Sequence, residues 1–237
     1  MVSFALMDPI TAGTRSTPPA QPSVLDGVRT IAVEGLVRSG KTRLAGLLAE
    51  KFAARLIADD TANPFLPEFQ SAIGQNESPF ALKAQLIFLL NRFAQQDDIR
   101  QPGLFHKLTV TDYLFARDPI YAGITLGEGD RTVYQKVFQL LAERIAPCDL
   151  VIYLQTSFAE MLRRIQTQGS PIERKVPADF WREVFEGFNS YFFHFKEAPL
   201  LVVNVERFPF ESAEGIDQLV REIRRHKKGI AYYAPAD

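Results

Sequence analysis

Residues 35–42 carry the spacing G-x-x-x-x-G-K-[ST], in the form Gly35-Leu-Val-Arg-Ser-Gly40-Lys41-Thr42. This is the pattern of a phosphate-binding loop, in which backbone N–H groups and the start of a helix surround an anion. The lysine of such a loop reaches the terminal phosphates, and the hydroxyl group of its last residue ligates Mg²⁺. The spacing therefore predicts a nucleotide site with Mg²⁺ at Thr42. The residues expected to bind the nucleotide are Gly35, Arg38, Ser39, Gly40, Lys41 and Thr42.

The loop lies between elements that suit it, and the same alternation continues along the chain. Strand-like apolar runs occur at 30–33, 55–57, 108–111, 150–154 and 200–205. Helical patterns occur at 41–52, 79–100, 131–146, 158–168, 179–197 and 213–225. Nearly continuous apolar strands separated by helices predict a parallel sheet covered on both faces. We therefore expect an α/β fold with a doubly wound, five-stranded parallel sheet, in one P-loop domain spanning residues 28–237.

Composition narrows the compartment and the partners. The formal net charge is −1, so no strong field attracts nucleic acid or anionic lipid. Polar residues interrupt every apolar run before it reaches membrane-spanning length. The single cysteine, Cys148, fits a reducing compartment. These features predict a cytoplasmic protein with no membrane or nucleic-acid partner, and the prolines within residues 1–27 predict a flexible N-terminal segment.

Several polar residues are placed where a ligand of such a sheet would bind. Ligands of doubly wound sheets lie beyond the carboxyl ends of the strands, where Asp59 and Asp112 follow two of the apolar runs. Gln85 and Arg92 interrupt the apolar helix 79–100 and share one of its faces, two turns apart. A buried arginine needs an acceptor. Arg92 is therefore expected either in an internal salt bridge, for example with Asp118, or in a pocket for a polar ligand.

Two further segments each allow two interpretations. Residues 162–175 leave a helix through a Gly/Pro break and carry four basic side chains. They could close over a triphosphate as a lid, which we place at about 164–178, or could form a solvated charged face. The helix 179–197 carries an aromatic stripe at helical spacing, which favours a core or dimer surface over a base-stacking platform. The helices 79–100 and 179–197 are both strongly apolar, which predicts a homodimer.

Taken in order, these stretches resemble the deoxynucleoside kinase family, which includes the deoxycytidine, deoxyadenosine and deoxyguanosine kinases. The resemblance runs from about Thr30 to Arg225. Besides the loop, the matching pieces are Asn63-Pro-Phe-Leu-Pro-Glu-Phe69, Gln85-Leu-Ile-Phe-Leu-Leu-Asn-Arg92, Val110-Thr-Asp-Tyr-Leu-Phe-Ala-Arg-Asp118, Asp149-Leu-Val-Ile-Tyr-Leu154 and Arg164-Ile165…Gly169…Glu173.

The resemblance implies transfer of the γ-phosphoryl group of ATP, with Mg²⁺, to the 5′-hydroxyl group of a deoxynucleoside. It implies that Gln85 and Asp118 bind the edge of the nucleobase and that Arg92 orients it. It further implies that Glu173 accepts from the 3′-hydroxyl group of the sugar and that Asp112 lies near the metal. Arg164 corresponds to the first arginine of the family's lid. Lys41, Asp59 and Arg164 are the expected catalytic residues.

The chain also departs from the family pattern around the reacting groups. The resemblance implies a glutamate as general base at the position of Ala58; the nearest carboxylates are Asp59 and Asp60, of which Asp59 is expected to replace it. The family's arginine beside the strand-end acid is Tyr113 here, and two lid arginines are Gln168 and Ser170. The alternative is therefore a nucleotide-binding homologue with impaired chemistry and a regulatory or scaffolding role. A P-loop GTPase is disfavoured because the guanine signature N-K-x-D is absent.

Overall fold

One parallel sheet organises the computed structural model, which describes residue 25 and residues 27–73, 78–101, 106–210 and 212–234. Within these residues the strand order is β2-β3-β1-β4-β5-β6. The strands are β1 (Thr30–Gly35), β2 (Arg55–Ile57), β3 (Thr109–Thr111), β4 (Leu150–Gln155), β5 (Leu200–Asn204) and β6 (Ile230–Tyr233). The predicted doubly wound α/β sheet with helices on both faces is confirmed.

The predicted number of five strands is too low by one. β6 pairs in parallel with β5, with Leu200 opposite Ile230 and Val203 opposite Tyr233. Ile230 and Tyr232 are exposed, and Ala231 and Tyr233 are half-buried. β6 was not recognised although its four residues are apolar, because so short a run, one residue after the basic segment 224–228, is a weak strand signal.

Eight helices lie among the described residues, and most agree with the sequence patterns. They are α1 (Lys41–Phe52), α2 (Leu66–Ala72), α3 (Ala81–Arg100), α4 (Asp118–Thr125), α5 (Glu128–Ala142), α6 (Phe158–Gln168), α7 (Ala178–Phe193) and α8 (Ala213–Arg225). α5 begins three residues before the predicted start of 131, with Glu128 and Asp130 in its first turn. Acidic side chains at that end complement the helix dipole. The short helices α2 and α4 were not predicted.

Apolar side chains cover the two faces of the sheet separately. α1 and α8 pack on one face, around Ile31, Val33 and Ile152. α6 and α7 pack on the other face, where the aromatic stripe of α7 meets Tyr153 and Val202. Trp181, Val184, Phe188 and Phe192 are buried there, so the interpretation of the stripe as core is correct. α3, α4 and α5 form a further apolar cluster beside the sheet.

Two further predictions concern the N-terminal segment and the absence of a membrane-spanning helix. The predicted flexible segment 1–27 lies outside the described residues except for positions 25 and 27. Leu25 is buried against the α1 and α8 face, so the ordered core includes at least this residue of the segment. Among the residues described, no helix combines the length and apolarity needed to cross a bilayer.

Candidate active site

The loop between β1 and α1 has the backbone geometry that close contact with an anion requires. A Cβ atom on Gly35 would lie 2.8 Å from the Cβ atom of Leu154 and 2.8 Å from Ser39 Oγ. Gly40 has a φ of +95°, in the left-handed region that L side chains rarely adopt. Both glycines are therefore needed for steric reasons. The predicted loop is formed, and it leads directly into the N-terminus of α1.

Lys41 extends back along this loop. Its Nζ atom donates hydrogen bonds to the carbonyl oxygens of Gly35, at 2.9 Å, and Leu36, at 3.1 Å. Burial lowers the pKa of the Lys41 ammonium group to about 8, against the opposing effect of the nearby Glu34 carboxylate. A cation at this point of a phosphate-binding loop can pair with the terminal phosphates of a nucleotide.

Thr42 and Asp112 meet at the mouth of the loop. The Thr42 hydroxyl group donates to Asp112 Oδ2, and Asp112 Oδ1 accepts from the backbone N–H group of Asp59 at 2.6 Å. One hydroxyl and one carboxylate fit Mg²⁺ bound mainly through water and phosphate oxygens, which is its usual arrangement in phosphoryl-transfer sites. In the described part of the chain, no group of three or more His, Cys, Asp or Glu side chains could hold a metal on its own.

These residues border a cleft of about 650 Å³ at the carboxyl ends of β1, β2 and β3. The phosphate-binding loop forms one wall of the cleft, and residues of the predicted lid, Gln168 and Glu173, lie at its edge. Asp59, Asp112, Arg117 and Tyr121 line the remainder. A cleft of this volume at this edge of a doubly wound sheet suits a small-molecule ligand.

Asp59 is one of the carboxylates that line this cleft, together with Asp112 and Glu173. Arg92 donates two hydrogen bonds to the Asp59 carboxylate, from Nε to Oδ1 at 2.8 Å and from Nη2 to Oδ2 at 2.7 Å. A second arginine, Arg117, donates to Asp59 Oδ2 at 2.6 Å. Burial alone would raise the pKa of Asp59, but Arg117 and Arg92 outweigh it and hold that pKa below its ordinary value. Asp59 is therefore ionised and fixed in place, whereas the adjacent Ala58 is exposed.

Arg92 also pairs with Asp118, as one of its two interpretations predicted. The other oxygen of Asp118, Oδ2, is buried and has no hydrogen-bond partner among the described residues. Burial raises the pKa of Asp118 to about 6, although Arg92 and Arg117 oppose the shift. A buried acceptor without a partner is costly, so this oxygen suits a donor group on a ligand. Gln85, on the same face of α3, donates to Thr125 Oγ1 at 3.0 Å.

The predicted lid contacts the loop through an ion pair and through a hydrogen bond to its backbone. Glu173, in the short 3₁₀ turn Glu173–Lys175, pairs with Arg38 and accepts from the backbone N–H group of Ser170 at 2.6 Å. Arg164 lies on α6, where Glu160 holds its Nε atom at 2.7 Å. Its guanidinium group also donates to the carbonyl oxygens of Arg38 and Val205. Arg164 thus contacts the back of the loop and is not among the residues that line the cleft.

The sequence reasoning missed Arg117. This side chain bridges Glu34 and Asp59, which are 83 and 58 residues away along the chain. Its only sequence signal is its place before Asp118 in the segment 110–118, and that segment drew attention to Asp112 and Asp118 instead. Separations of this size leave no local pattern that could identify such a contact.

The chain was compared with known proteins. The family model for deoxynucleoside kinases matches residues 31–227. A deoxyguanosine kinase of Bacillus subtilis is 28% identical over 160 residues, which cover 67% of this chain and 75% of the relative. The deoxyadenosine/deoxycytidine kinase of the same organism is 23% identical and covers 84% of this chain and 94% of its own length.

Solved structures show the same fold. The deoxyadenosine kinase from M. mycoides, with dCMP and a flexible dCDP bound as products, superimposes with a TM-score of 0.70 at 18% identity. That match covers 83% of this chain and 99% of the other. The same enzyme with bound dATP gives a TM-score of 0.68.

Proposed function

The chain belongs to the deoxynucleoside kinase family, and we propose that it transfers the γ-phosphoryl group of ATP to the 5′-hydroxyl group of a deoxynucleoside. It is therefore a kinase that uses a nucleoside triphosphate and a nucleoside. The observation that carries the proposed chemistry is Asp59, a fixed carboxylate that lines the same cleft as Lys41 and its phosphate-binding loop. A carboxylate opposite a phosphate site is what an alcohol acceptor needs.

On the donor side, the loop residues bind the phosphates of ATP. The backbone of residues 35–40 surrounds them, Lys41 neutralises their charge, and Arg38 and Ser39 complete the loop. Thr42 and Asp112 would hold Mg²⁺, which neutralises phosphate charge during transfer when it is bound. Arg164, fixed behind Arg38 by its hydrogen bond to that carbonyl oxygen, supports the position of the loop.

On the acceptor side, the residues of α3 and α4 bind the nucleoside. Asp118 offers its unpartnered Oδ2 atom to a donor on the nucleobase edge, and the Gln85 amide can pair with the same edge. Arg92 pairs with both Asp118 and Asp59, so it sets the position of the residue that binds the nucleobase relative to the Asp59 carboxylate. Glu173 accepts from the 3′-hydroxyl group when the lid lies over the sugar.

Asp59 positions the 5′-hydroxyl group and accepts its proton. Two arginines make this carboxylate a weak base, which suits a reaction in which proton removal is late and charge stabilisation dominates. No observation favours the impaired homologue suggested by Ala58 and Tyr113. Asp59 supplies a carboxylate next to Ala58, and Arg117 supplies a guanidinium group that Tyr113 cannot.

We also propose that the protein is a homodimer that associates through α3 and α5. These helices pack against each other, yet they leave Leu90, Val133 and Leu140 exposed by 46%, 48% and 67%. Apolar side chains that remain exposed on adjacent helices suit an isologous interface between two copies. We place the reaction in the cytoplasm, where ATP is abundant and the single Cys148 thiol stays reduced.

A nucleoside panel tests the proposed function. Purified protein is incubated with ATP, Mg²⁺ and each of the four common deoxynucleosides, and the products are separated by chromatography. We expect at least one deoxynucleoside to yield a monophosphate, and Lys41→Met to abolish it. Absence of any monophosphate, in a preparation that binds ATP, would overturn the proposal.

A further inference from the structure

Arg117 contacts Asp59 on one side and Glu34, the residue before the phosphate-binding loop, on the other. We propose that Arg117 is the positioning residue for Asp59: it ties this carboxylate to Glu34, behind the phosphate-binding loop, and so sets the distance between acceptor and donor. The inference rests on the proposed function. It assigns to Arg117 a role that is exerted through Asp59, at a position for which the family resemblance predicted no functional residue.

Glu34 provides the fixed end of the connection. It is the next-to-last residue of the buried strand β1 and is 0% exposed. Its Oε1 atom accepts from the N–H group of Gly35 at 3.0 Å, and its Oε2 atom accepts from that of Leu114 at 2.7 Å. The carboxylate is therefore bound to the first residue of the loop and to the chain just before Arg117. Its position cannot change without moving the loop.

Arg117 transmits this position to Asp59. It ends the 3₁₀ turn Phe115–Arg117, which leads into α4, and it is only 6% exposed. Its Nη1 atom donates to Glu34 Oε1 at 3.2 Å, and its Nη2 atom donates to Asp59 Oδ2 at 2.6 Å. A guanidinium group is planar and rigid, so a fork held at one nitrogen fixes the direction of the other.

The loop that carries Asp59 needs such support. It follows β2, a three-residue strand at the edge of the sheet. The backbone of Asp59 is held by Asp112, and its side chain is held by Arg92 from α3 and by Arg117 from the turn that follows β3. Oδ2 accepts from both arginines, whereas Oδ1 accepts from Arg92 alone. Oδ1 therefore keeps a free lone pair, and we assign it as the oxygen that meets the acceptor hydroxyl group.

A purely structural role would not require this arrangement. Replacing a buried ion pair by apolar residues often costs no stability, so Arg117 and Glu34 are not explained by folding alone. Arg117 also lines the cleft, and its Nε atom is buried without a partner among the described residues. The residue at the position of the family's arginine, Tyr113, is buried with its ring 5.9 Å from the Arg92 guanidinium carbon. The second cation of the site therefore comes from the turn four residues later.

A double-mutant cycle between Arg117 and Asp59 tests the inference. Arg117→Gln and Arg117→Lys are each made in the wild-type chain and in Asp59→Asn, and kcat is measured with labelled ATP. In the wild-type chain we expect Arg117→Gln to lower kcat by about 100-fold and Arg117→Lys by about tenfold, because lysine keeps the charge but not the fork. In Asp59→Asn, we expect either change to alter kcat less than about threefold, since the group that Arg117 positions is gone. The dissociation constant of ATP should stay within about twofold.

Control variants separate this outcome from loss of the fold and from failure of the proposed function. Arg117→Gln leaves Glu34 buried without a cation; if that variant fails to fold, the cycle is run in Glu34→Gln, which removes the buried charge. Arg225→Gln, in an exposed pair with Glu222, should behave as wild type. Equal losses of kcat in both Asp59 backgrounds, or weakened ATP binding, would overturn the inference while the wild-type enzyme remains a kinase. A wild-type protein that forms no monophosphate would overturn both.

Discussion

Two arginines from different elements converge on one carboxylate, and this contact decides what Asp59 can do. Arg92 and Arg117 both donate to Oδ2, and together they keep the carboxylate ionised despite its burial. A carboxylate so held is poor at removing a proton in the ground state. It is well suited to orient a hydroxyl group and to take its proton as the phosphoryl group arrives.

At this scale, Asp59→Asn should lower kcat by about 10²- to 10⁴-fold, because the amide keeps the shape but cannot accept the proton. Steady-state kinetics with a saturating deoxynucleoside measures the change. The neighbouring Asp60→Asn is the matched control, since Asp60 is exposed and, among the described residues, its carboxylate accepts from the N–H group of Ala62 and from neither Arg92 nor Arg117. A near-wild-type rate for Asp59→Asn would exclude Asp59 as the base.

Asp118 should make nucleoside binding depend on pH. Burial raises the pKa of its carboxyl group to about 6, so the ionised form that accepts from a nucleobase is present above that pH and is lost as the pH falls. We expect KM for the nucleoside to rise by up to about tenfold for each pH unit below 6. For folding the sign is opposite, because the protonated form is favoured in the native state and its contribution is lost as the pH rises through 6. Asp118→Asn should abolish the pH dependence of KM, and an unchanged profile would contradict this assignment.

At the scale of elements, strand ends were predictable and contacts between distant segments were not. The apolar runs indicated β1 to β5, and their carboxyl ends directed attention to Asp59 and Asp112, both of which line the cleft. The helical spacing of Gln85 and Arg92 placed both on one buried face of α3. β6 was missed because its run of four apolar residues is short and closely follows a basic segment, and Arg117 was missed because its partners lie 58 and 83 residues away. Burial patterns are local in sequence, whereas ion pairs between loops are not.

The lid provides a prediction at the same scale. Glu173 pairs with Arg38 here, and we expect it to exchange that partner for the 3′-hydroxyl group of the sugar. Glu173→Gln should therefore raise KM for a 2′-deoxynucleoside by about 10- to 100-fold, the usual range for a lost hydrogen bond to a charged group. It should have little effect on KM for the 2′,3′-dideoxynucleoside, which lacks that hydroxyl group. Equal effects on both substrates would show that Glu173 acts only on the loop.

At the scale of the whole molecule, α3 and α5 carry exposed apolar side chains, among them Leu90, Val133 and Leu140. Leu140→Glu should dissociate the proposed dimer, because a charge at the centre of an apolar interface is costly to bury. Light scattering after gel filtration measures the mass of the particle. Tyr232→Glu, at an exposed residue of β6, is the control and should leave that mass unchanged. A wild-type protein that is monomeric at micromolar concentration would contradict the proposal.

In the whole molecule, a donor site on the loop lies opposite an acceptor site on α3 and α4, with Asp59 and its arginines between them. We propose that phosphoryl transfer to a deoxynucleoside occurs across this cleft. The most direct test is ³¹P nuclear magnetic resonance of the wild-type enzyme with ATP, Mg²⁺ and the preferred deoxynucleoside. We expect equal amounts of ADP and deoxynucleoside 5′-monophosphate from the wild-type enzyme, and neither product from Lys41→Met. ADP and inorganic phosphate without a nucleoside monophosphate would contradict it.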